Sequence, residues 1–216
     1  MKKIATRIVH VEAERREPFK GTRITVVAIP KLEYGIYSAK LAAGSTSVKV
    51  DWGDGTVETL AAISRLVHTY PHPGLYEIRI SDDIEDLGLA TVATTSDYAE
   101  RYSPMVECVF SDAAKIKALS AYSLYNAANM HTFDMRGSSL EKINGYTFSG
   151  ASGLRGRIDL PNVSQFTGKG TMQPFKDCTG LTEIHFSKSN EALVTAWSCY
   201  KADPRLGAAN AVVVFD

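Results

Sequence analysis

The chain has 216 residues, of which 44% are hydrophobic and 22% charged, enough for one or two globular domains with a sizeable core. Its 24 basic side chains balance 24 acidic ones, and a net charge of zero argues against nucleic acid or an anionic membrane surface as partners. No apolar run approaches the roughly 20 residues of a membrane-spanning helix, so membrane insertion is not expected.

Residues 1–21 are predicted to form an N-terminal arm that is dense in charge. Their pattern leaves an extended segment, an edge strand and a short helix all open. Lys2 and Lys3 imitate the start of a signal peptide, but Arg7 and His10 interrupt the apolar stretch that should follow. The sequence therefore predicts cytoplasmic synthesis without a secretion signal.

Residues 22–81 follow the period of two that is typical of strands. In the segment 47–52, Val48, Val50 and Trp52 fall on one face, and the segment 76–80 alternates in the same way. Glycines and prolines separate these short runs. The pattern predicts a small antiparallel β-sandwich.

Two motifs in this region, VDWGDGT at 50–56 and HTYPHPGLYEIRI at 68–80, resemble the paired signature of PKD-type, immunoglobulin-like sandwiches. The resemblance implies that a strand carries WGDG into a tight turn and that a later strand returns beside it. Glycine permits a positive φ in such a turn, and an aspartate can accept backbone N–H bonds there. The residues assigned to this turn are Asp51, Gly53, Asp54 and Gly55.

Asp51 and Asp54 could instead bind calcium, because carboxylates in a glycine-rich loop suit a hard cation. The segment lacks the alternating ligands and distal Glu of an EF-hand, so we favour a structural turn without metal. His68 and His72 do not match the HExxH zinc motif. We predict that His68 is a strand residue bonded to the turn and that His72 faces solvent in a loop; no metal or cofactor is expected.

Residues 82–216 contain an internal repeat of apolar columns. Pairs of apolar residues two positions apart recur with first members separated by 25, 25, 26 and 29 positions. The pairs are Cys108/Phe110, Phe133/Met135, Ile158/Leu160, Ile184/Phe186 and Val213/Phe215.

The recurring unit resembles BspA-like leucine-rich repeats, with LEKINGYTFSGASGL at 140–154 as the clearest copy and PFKDCTGLTEIHF at 174–186 as another. The resemblance implies a short solenoid in which parallel strands form one wall. Residues 81–104 are expected to be a degenerate first turn, whose strand Ile78 and Ile80 could begin. The expected fold is therefore mainly β, a small antiparallel sandwich joined to this solenoid. Three cysteines fall at or near the inward columns and are predicted to be buried thiols.

Nothing in the sequence indicates an enzyme. The segment 150–154 places Ser152 one position short of a G-x-S-x-G nucleophile elbow, and the phosphate-binding G-x-x-x-x-G-K-[ST] pattern is absent.

If the apolar pairs point inward, the residues between and before them lie on the outer face of the strands. Repeat proteins generally use such a wall for recognition, although a merely solvated polar face is the simpler interpretation. The candidate binding residues are Thr132, Asp134, Arg157, Asp159, Glu183 and His185. Five aromatic residues near the turns are expected to pack at the core or its edge, with sugar stacking as the alternative: Tyr122, Tyr125, Tyr146, Trp197 and Tyr200.

The resemblance implies a bacterial surface or adhesion component, whereas the absent signal peptide favours a protein that stays in the cytoplasm until assembly. A bacteriophage virion component satisfies both expectations. The sequence therefore predicts a non-catalytic recognition and assembly protein with a protein or glycan partner, possessing an arm at 1–20 that contacts neighbouring subunits. The alternative is a carbohydrate-binding accessory module of a glycan-utilisation system.

Overall fold

A computed structural model describes residues 21–28, 33–62, 64–92, 105–110, 115–136, 138–169 and 171–216. The predicted arm at 1–20 lies outside these residues. The described chain is mainly β, as the sequence predicts. Its strands are β1 Gly21–Ala28, β2 Glu33–Leu41, β3 Ser47–Asp51, β4 Val57–Ala61, β5 Ser64–Thr69, β6 Gly74–Ser81, β7 Ile84–Val92, β8 Met105–Phe110, β9 Ala118–Leu119, β10 Thr132–Asp134, β11 Lys142–Asn144, β12 Gly156–Leu160, β13 Gln165–Thr167, β14 Leu181–Phe186 and β15 Val212–Phe215.

Among the described residues these strands form three sheets. Sheet A has the order β10-β8-β1-β6-β3-β4, and sheet B has the order β13-β11-β9-β7-β2-β5. Sheet C contains β12-β14-β15. A 3-10 turn at Lys188–Asn190 and two short helices, α1 (Glu191–Ala196) and α2 (Ser198–Ala202), connect β14 to β15.

Strands β1 to β7, the first or antiparallel part of the chain, pair with one another only in antiparallel fashion. Strands β8 to β15, the second or parallel part, pair with one another only in parallel. β1 runs antiparallel to β6 and to β8, and β8 then pairs in parallel with β10. β7 runs antiparallel to β2 on one side and parallel to β9 on the other. Sheets A and B therefore continue from one type of pairing into the other.

The predicted domain limit between residues 81 and 82 falls in the tight turn from β6 to β7. Both flanking strands nevertheless lie within the antiparallel sheets, because β6 sits between β1 and β3 and β7 pairs with β2. Ile78 and Ile80 belong to β6 and do not begin a parallel turn. The change from antiparallel to parallel pairing occurs at β7 in sheet B and at β8 in sheet A.

Side chains at the predicted apolar columns fill one continuous core. Phe148 is fully buried, and its ring stacks on Phe175 with centroids 4.9 Å apart and meets Phe133 edge-on at 4.8 Å. The inward positions of β12 and β14 are likewise buried. The three cysteines are free and buried, as predicted.

Successive turns of the second part also bond through their backbones. Leu124 N–H donates to Thr147 O at 2.9 Å, and Phe148 N–H donates to Pro174 O at 3.0 Å. The turns approach so closely that a Cβ on Gly153 would lie 2.4 Å from the carbonyl oxygen of Ala128. A larger residue at 153 would force two turns apart.

The parallel strands do not form the single wall that the repeat predicts. Phe133 in β10 pairs with Cys108 in β8, whereas Ile158 in β12 pairs with Ile184 in β14. β10 ends sheet A and β12 begins sheet C, so the expected continuous wall is wrong at this step. A second parallel ladder, β9-β11-β13, aligns three further apolar residues, Leu119, Ile143 and Phe166.

No helix within the described residues combines the length and apolar character that crossing a membrane requires.

Candidate functional site

The candidate surface is the outer face of β10, β12 and β14, where polar side chains alternate with the buried columns. Arg157 lies opposite Glu183 in the strand register, and Asp159 lies opposite His185. Thr132 and Asp134 hold the corresponding positions on β10. The six predicted residues thus share one face, which we call the polar wall: Thr132, Asp134, Arg157, Asp159, Glu183 and His185.

Ion pairs connect most of this wall. The Arg157 Nε atom lies 2.5 Å from Asp159 Oδ1, and its Nη2 atom reaches Asp216 Oδ2 at 3.4 Å. The neighbouring carboxylates raise the pKa of Arg157, with the hydrogen bond to Asp159 as the main cause. The arginine therefore contacts one carboxylate on its own strand, β12, and one on the residue that follows β15.

His185 is buried on the wall, with only 7% of its side chain exposed, although its sequence position predicts a solvent-facing residue. Its Nε2 atom lies 2.7 Å from Glu183 Oε2, and its Nδ1 atom lies 2.8 Å from Asp216 Oδ2. Ionised carboxylates only accept hydrogen bonds, so both contacts are made together when both ring nitrogens carry a proton. The hydrogen bond from His185 is the main reason that the pKa of Asp216 is lowered.

Asp134 is held by an arginine that the sequence analysis missed. Arg136 Nε lies 3.0 Å from Asp134 Oδ1, and Arg136 Nη2 lies 2.6 Å from Asp134 Oδ2. This two-pronged contact lowers the pKa of Asp134 against the opposing effect of burial. The Asp-x-Arg spacing, which places both side chains on one face of an extended segment, was the available signal.

The wall is split between β10 and β12. Within the described residues no backbone hydrogen bond joins these two strands, and a cleft of about 250 Å³ lies along them. Phe133 and Ile158 are among its apolar lining. Its polar lining includes four wall residues and two further arginines: Thr132, Asp134, Arg157, Asp159, Arg136 and Arg155.

The dimensions of the cleft limit what it can accept. The strands that flank it approach within 8 Å between Cα atoms, whereas a strand inserted between two others needs about 9.5 Å. Its volume is also below the roughly 300–1,000 Å³ of pockets that hold drug-sized ligands. A small polar group fits the cleft, and an added peptide strand does not.

The second candidate region is the predicted turn in the first part of the chain. Asp51 Oδ1 accepts the Gly53 N–H bond at 2.9 Å, and Asp54 Oδ1 accepts the Thr56 N–H bond at the same distance. Gly53 has φ +82° and Gly55 has φ +95°, values that suit glycine. The predicted structural role of these four residues agrees with this geometry.

His68 closes the turn from the neighbouring sheet, as predicted. Its Nε2 atom lies 2.8 Å from Asp54 Oδ2, and its ring stacks on Trp52 with centroids 4.7 Å apart. Burial raises the pKa of Asp54, but the hydrogen bonds from Thr56 and His68 outweigh it and lower the value overall. Predicted to face solvent, His72 is exposed.

The carboxylates of this turn are engaged by backbone N–H groups and an imidazole. Among the described residues no group of three or more His, Cys, Asp and Glu side chains is placed to hold a metal ion. The geometry of Asp51 and Asp54 is that of a hydrogen-bonded turn.

The predicted aromatic residues separate into two groups. Tyr122 is 38% exposed, and its ring lies against Tyr146 and Tyr125, each with centroids 5.4 Å apart. Trp197 is only 9% exposed and packs on Phe186, so it offers no open face to a sugar. Sugar stacking at Trp197 is therefore not expected, whereas the tyrosine group keeps an exposed ring.

Comparisons with protein-family models, with curated proteins and with solved structures found no match to this chain. The geometry of the polar wall and its cleft is thus the basis for a functional proposal.

Proposed function

We propose that this chain is a non-catalytic recognition and assembly protein, a structural component of a bacteriophage virion or of a bacterial surface, that binds a protein or glycan partner through its polar wall. In this proposal the first part is a PKD-like sandwich that caps a BspA-like leucine-rich solenoid. The antiparallel pairing of β1 to β6 and the parallel coils after β8 support that assignment.

The observation that carries the proposal is the cleft that interrupts the polar wall. Its edge contains charged groups held in fixed geometry, with Asp134 gripped by Arg136 and Asp159 by Arg157. Side chains that are already ordered lose little conformational entropy when a partner binds. Exposed ion pairs of this kind contribute little to stability, so their concentration at one cleft favours recognition as their role.

The test compares binding by the wild type and by an Asp134→Asn/Asp159→Asn variant, which keeps the shape of both side chains and removes their charge. Labelled protein is titrated onto intact bacterial cells and onto immobilised surface polysaccharides. We expect the wall variant to bind at least tenfold more weakly, and Lys201→Gln, an exposed residue in α2, to bind like the wild type. Equal binding by both variants would remove the wall from the proposal.

Virion or surface assembly is tested by the genes that flank the coding sequence. We expect genes for capsid, portal or tail proteins beside it. A cluster for outer-membrane sorting would instead favour a cellular surface protein.

The second candidate is the carbohydrate-binding accessory module, and the size of the cleft favours it. A volume of about 250 Å³ lined by guanidinium and carboxylate groups suits the hydroxyl groups of a single sugar unit. A glycan array with Arg155→Ala and Tyr122→Ala variants separates the possibilities. Binding lost only in Arg155→Ala places the sugar in the cleft, and binding lost only in Tyr122→Ala places it on the exposed tyrosine.

A further inference from the structure

Within the described part of the chain, one guanidinium group of the cleft between β10 and β12 has no ionic partner. Arg136 is paired with Asp134, and Arg157 is paired with Asp159. Arg155, the third arginine of the lining, makes neither an ion pair nor a side-chain hydrogen bond with any described residue. Its charge is therefore available to a ligand of opposite sign.

The stem of Arg155 is packed against the next turn of the chain. A Cβ on Gly180 would lie 3.1 Å from Arg155 Cγ, so the stem lies against this glycine. The backbone beside it is also held, because Gly156 N–H donates to Gly180 O at 3.0 Å. The guanidinium group at the end of the side chain is exposed, and less of the side chain remains to be ordered when a ligand binds.

The charges of the lining favour a ligand with a single negative charge. Three arginines face two aspartates there, which leaves one net positive charge with His131 counted as neutral. The hydrogen bond to Asp134 is the main reason that the pKa of Arg136 is raised, and the charge of Asp159 across the cleft adds to it. A doubly charged phosphate would meet both aspartates, whereas a carboxylate matches the planar fork of one guanidinium group.

The two aspartates also require hydrogen-bond donors from the ligand. An ionised carboxylate accepts about four hydrogen bonds and donates none. Among the described residues Asp134 accepts three, all from Arg136, and Asp159 accepts one, from Arg157. A ligand bound at Arg155 must therefore bring donors together with its negative charge. An acidic protein side chain has no donor beside its carboxylate, but a sugar acid carries hydroxyl groups on the same ring.

We propose that the cleft binds a uronic acid unit of an acidic polysaccharide. Its carboxylate pairs with Arg155, and its ring hydroxyl groups donate to Asp134 and Asp159. The apolar lining, which includes Phe133 and Ile158, contacts the C–H groups of the ring. This inference rests on the proposed function, because it names the class of ligand for the same cleft, and it favours the glycan over the protein partner.

Polysaccharides that differ only at the carboxylate test the proposal. The acidic probes are polygalacturonate, alginate and hyaluronate, and the neutral probes are the same polymers after their carboxylates have been reduced to hydroxymethyl groups. Binding of the full-length protein is measured by titration calorimetry at constant ionic strength. We expect the wild type to bind at least one acidic polymer about tenfold or more tightly than its reduced form, because the reduced form lacks the charge-assisted contact.

Variants of Arg155 locate the effect in the cleft. Arg155→Gln should bind the acidic polymer and its reduced form equally, and Arg155→Lys, which keeps the charge without the fork, should recover part of the preference. The matched control is Arg65→Gln in β5, where an exposed arginine is lost far along the chain and the net charge changes by the same amount. It should keep the wild-type preference, and thermal unfolding checks that each variant is folded.

Several outcomes would overturn the uronic acid assignment. They are failure of the wild type to bind any acidic polymer, equal binding of the acidic and reduced forms, and a loss of preference in Arg65→Gln as large as in Arg155→Gln. Binding of polyglutamate in place of the uronates would also overturn it, since an acidic peptide would then be the ligand. The proposed function fails separately, if Asp134→Asn/Asp159→Asn and the wild type bind bacterial cells alike.

Discussion

The antiparallel and parallel parts of this molecule share sheets A and B but hold their turns in different ways. In the antiparallel part, the turn after β3 is fixed by side chains, with Asp51 and Asp54 accepting backbone N–H bonds and His68 closing the loop. In the parallel part, turns are fixed by backbone bonds to the next turn, such as Gly150 N–H to Lys176 O at 2.8 Å. The turn after β3 depends on particular polar side chains, whereas the parallel turns add close backbone stacking to side-chain bonds such as Asn210 Nδ2 to Thr179 O at 2.9 Å.

The two parts should therefore be destabilised by different kinds of substitution. A substitution that removes a charge or a hydroxyl group should lower the stability of the antiparallel part most, because its core includes the polar cluster of Trp52, His68 and Tyr70. A change in volume should affect the parallel part most, because its core is the stack of Phe133, Phe148 and Phe175.

The largest effect is expected from Phe148→Ala. It removes a fully buried ring from the centre of the aromatic stack and should lower the free energy of unfolding by about 3–5 kcal/mol. Chemical denaturation measures the loss. Tyr122→Ala, an exposed aromatic of the same turns, is the control and should cost much less.

Fluorescence also shows whether the two parts unfold together, since the chain has two tryptophans, with Trp52 in the antiparallel part and Trp197 in the parallel part. In Trp52→Phe and Trp197→Phe proteins that also have Phe148→Ala, the two transitions should coincide. Separate midpoints would show that the shared sheets do not couple the two parts.

Tyr70→Phe should have the next largest effect. The buried Tyr70 hydroxyl donates to the Trp52 carbonyl oxygen at 2.7 Å, and its removal leaves that acceptor unpaired. We expect a loss of about 1–3 kcal/mol, measured by thermal or chemical unfolding. A Phe166→Leu change in the parallel part keeps an apolar contact and serves as the comparison; no loss in Tyr70→Phe would contradict the predicted importance of polar bonds in this core.

Asp54→Asn should give a smaller, pH-dependent effect of about 1 kcal/mol. The pKa of Asp54 is lowered in the folded state, so its stabilisation is complete above the ordinary aspartate pKa of about 3.9 and is lost as the pH falls through the folded value. Unfolding free energies of both proteins, measured from pH 7 to pH 2.5, should therefore converge at the acidic end. A difference that grows as the pH falls would contradict this sign.

Arg136→Ala should have the smallest effect on stability. Its guanidinium group is mostly exposed, and exposed ion pairs add little to stability. The measurement is a chemical denaturation curve beside that of the wild type. A loss of stability as large as that of Tyr70→Phe would mean that the polar wall stabilises the fold and is not free to serve recognition.

Spacing in the sequence predicted which side chains are buried but not how the strands pair. The columns of Ile158 and Ile184 are buried in register, because a fixed period determines which residues face inward. The same period continues across β10 and β12, where the ladder is interrupted. Two neighbouring turns form backbone hydrogen bonds only where they stack closely. The spacing of apolar residues in the sequence does not show where that close stacking occurs.

The polar wall shows the same limit. Alternation placed Asp134, Asp159 and His185 on the outer face, yet it could not show that His185 is covered there. Its covering partner Asp216 lies 31 positions later, directly after β15. Arg136 could have been predicted from the sequence as the second half of an Asp-x-Arg pair. The contact between Asp216 and Arg157 spans 59 positions, so only the folded structure reveals it.

Because β7 pairs with β2 on one side and with β9 on the other, the antiparallel and parallel parts are joined within one sheet. A pull on the distal turns reaches sheet B through Asp86 and Leu87, which face Ala118 and Leu119, and reaches sheet A through β8 and β1. The load is shared as shear along two ladders and is not concentrated in a linker. Thr132 and Asp134, the wall residues on β10, would therefore keep a fixed orientation relative to the antiparallel part, because β10 pairs with β8 and β8 pairs with β1.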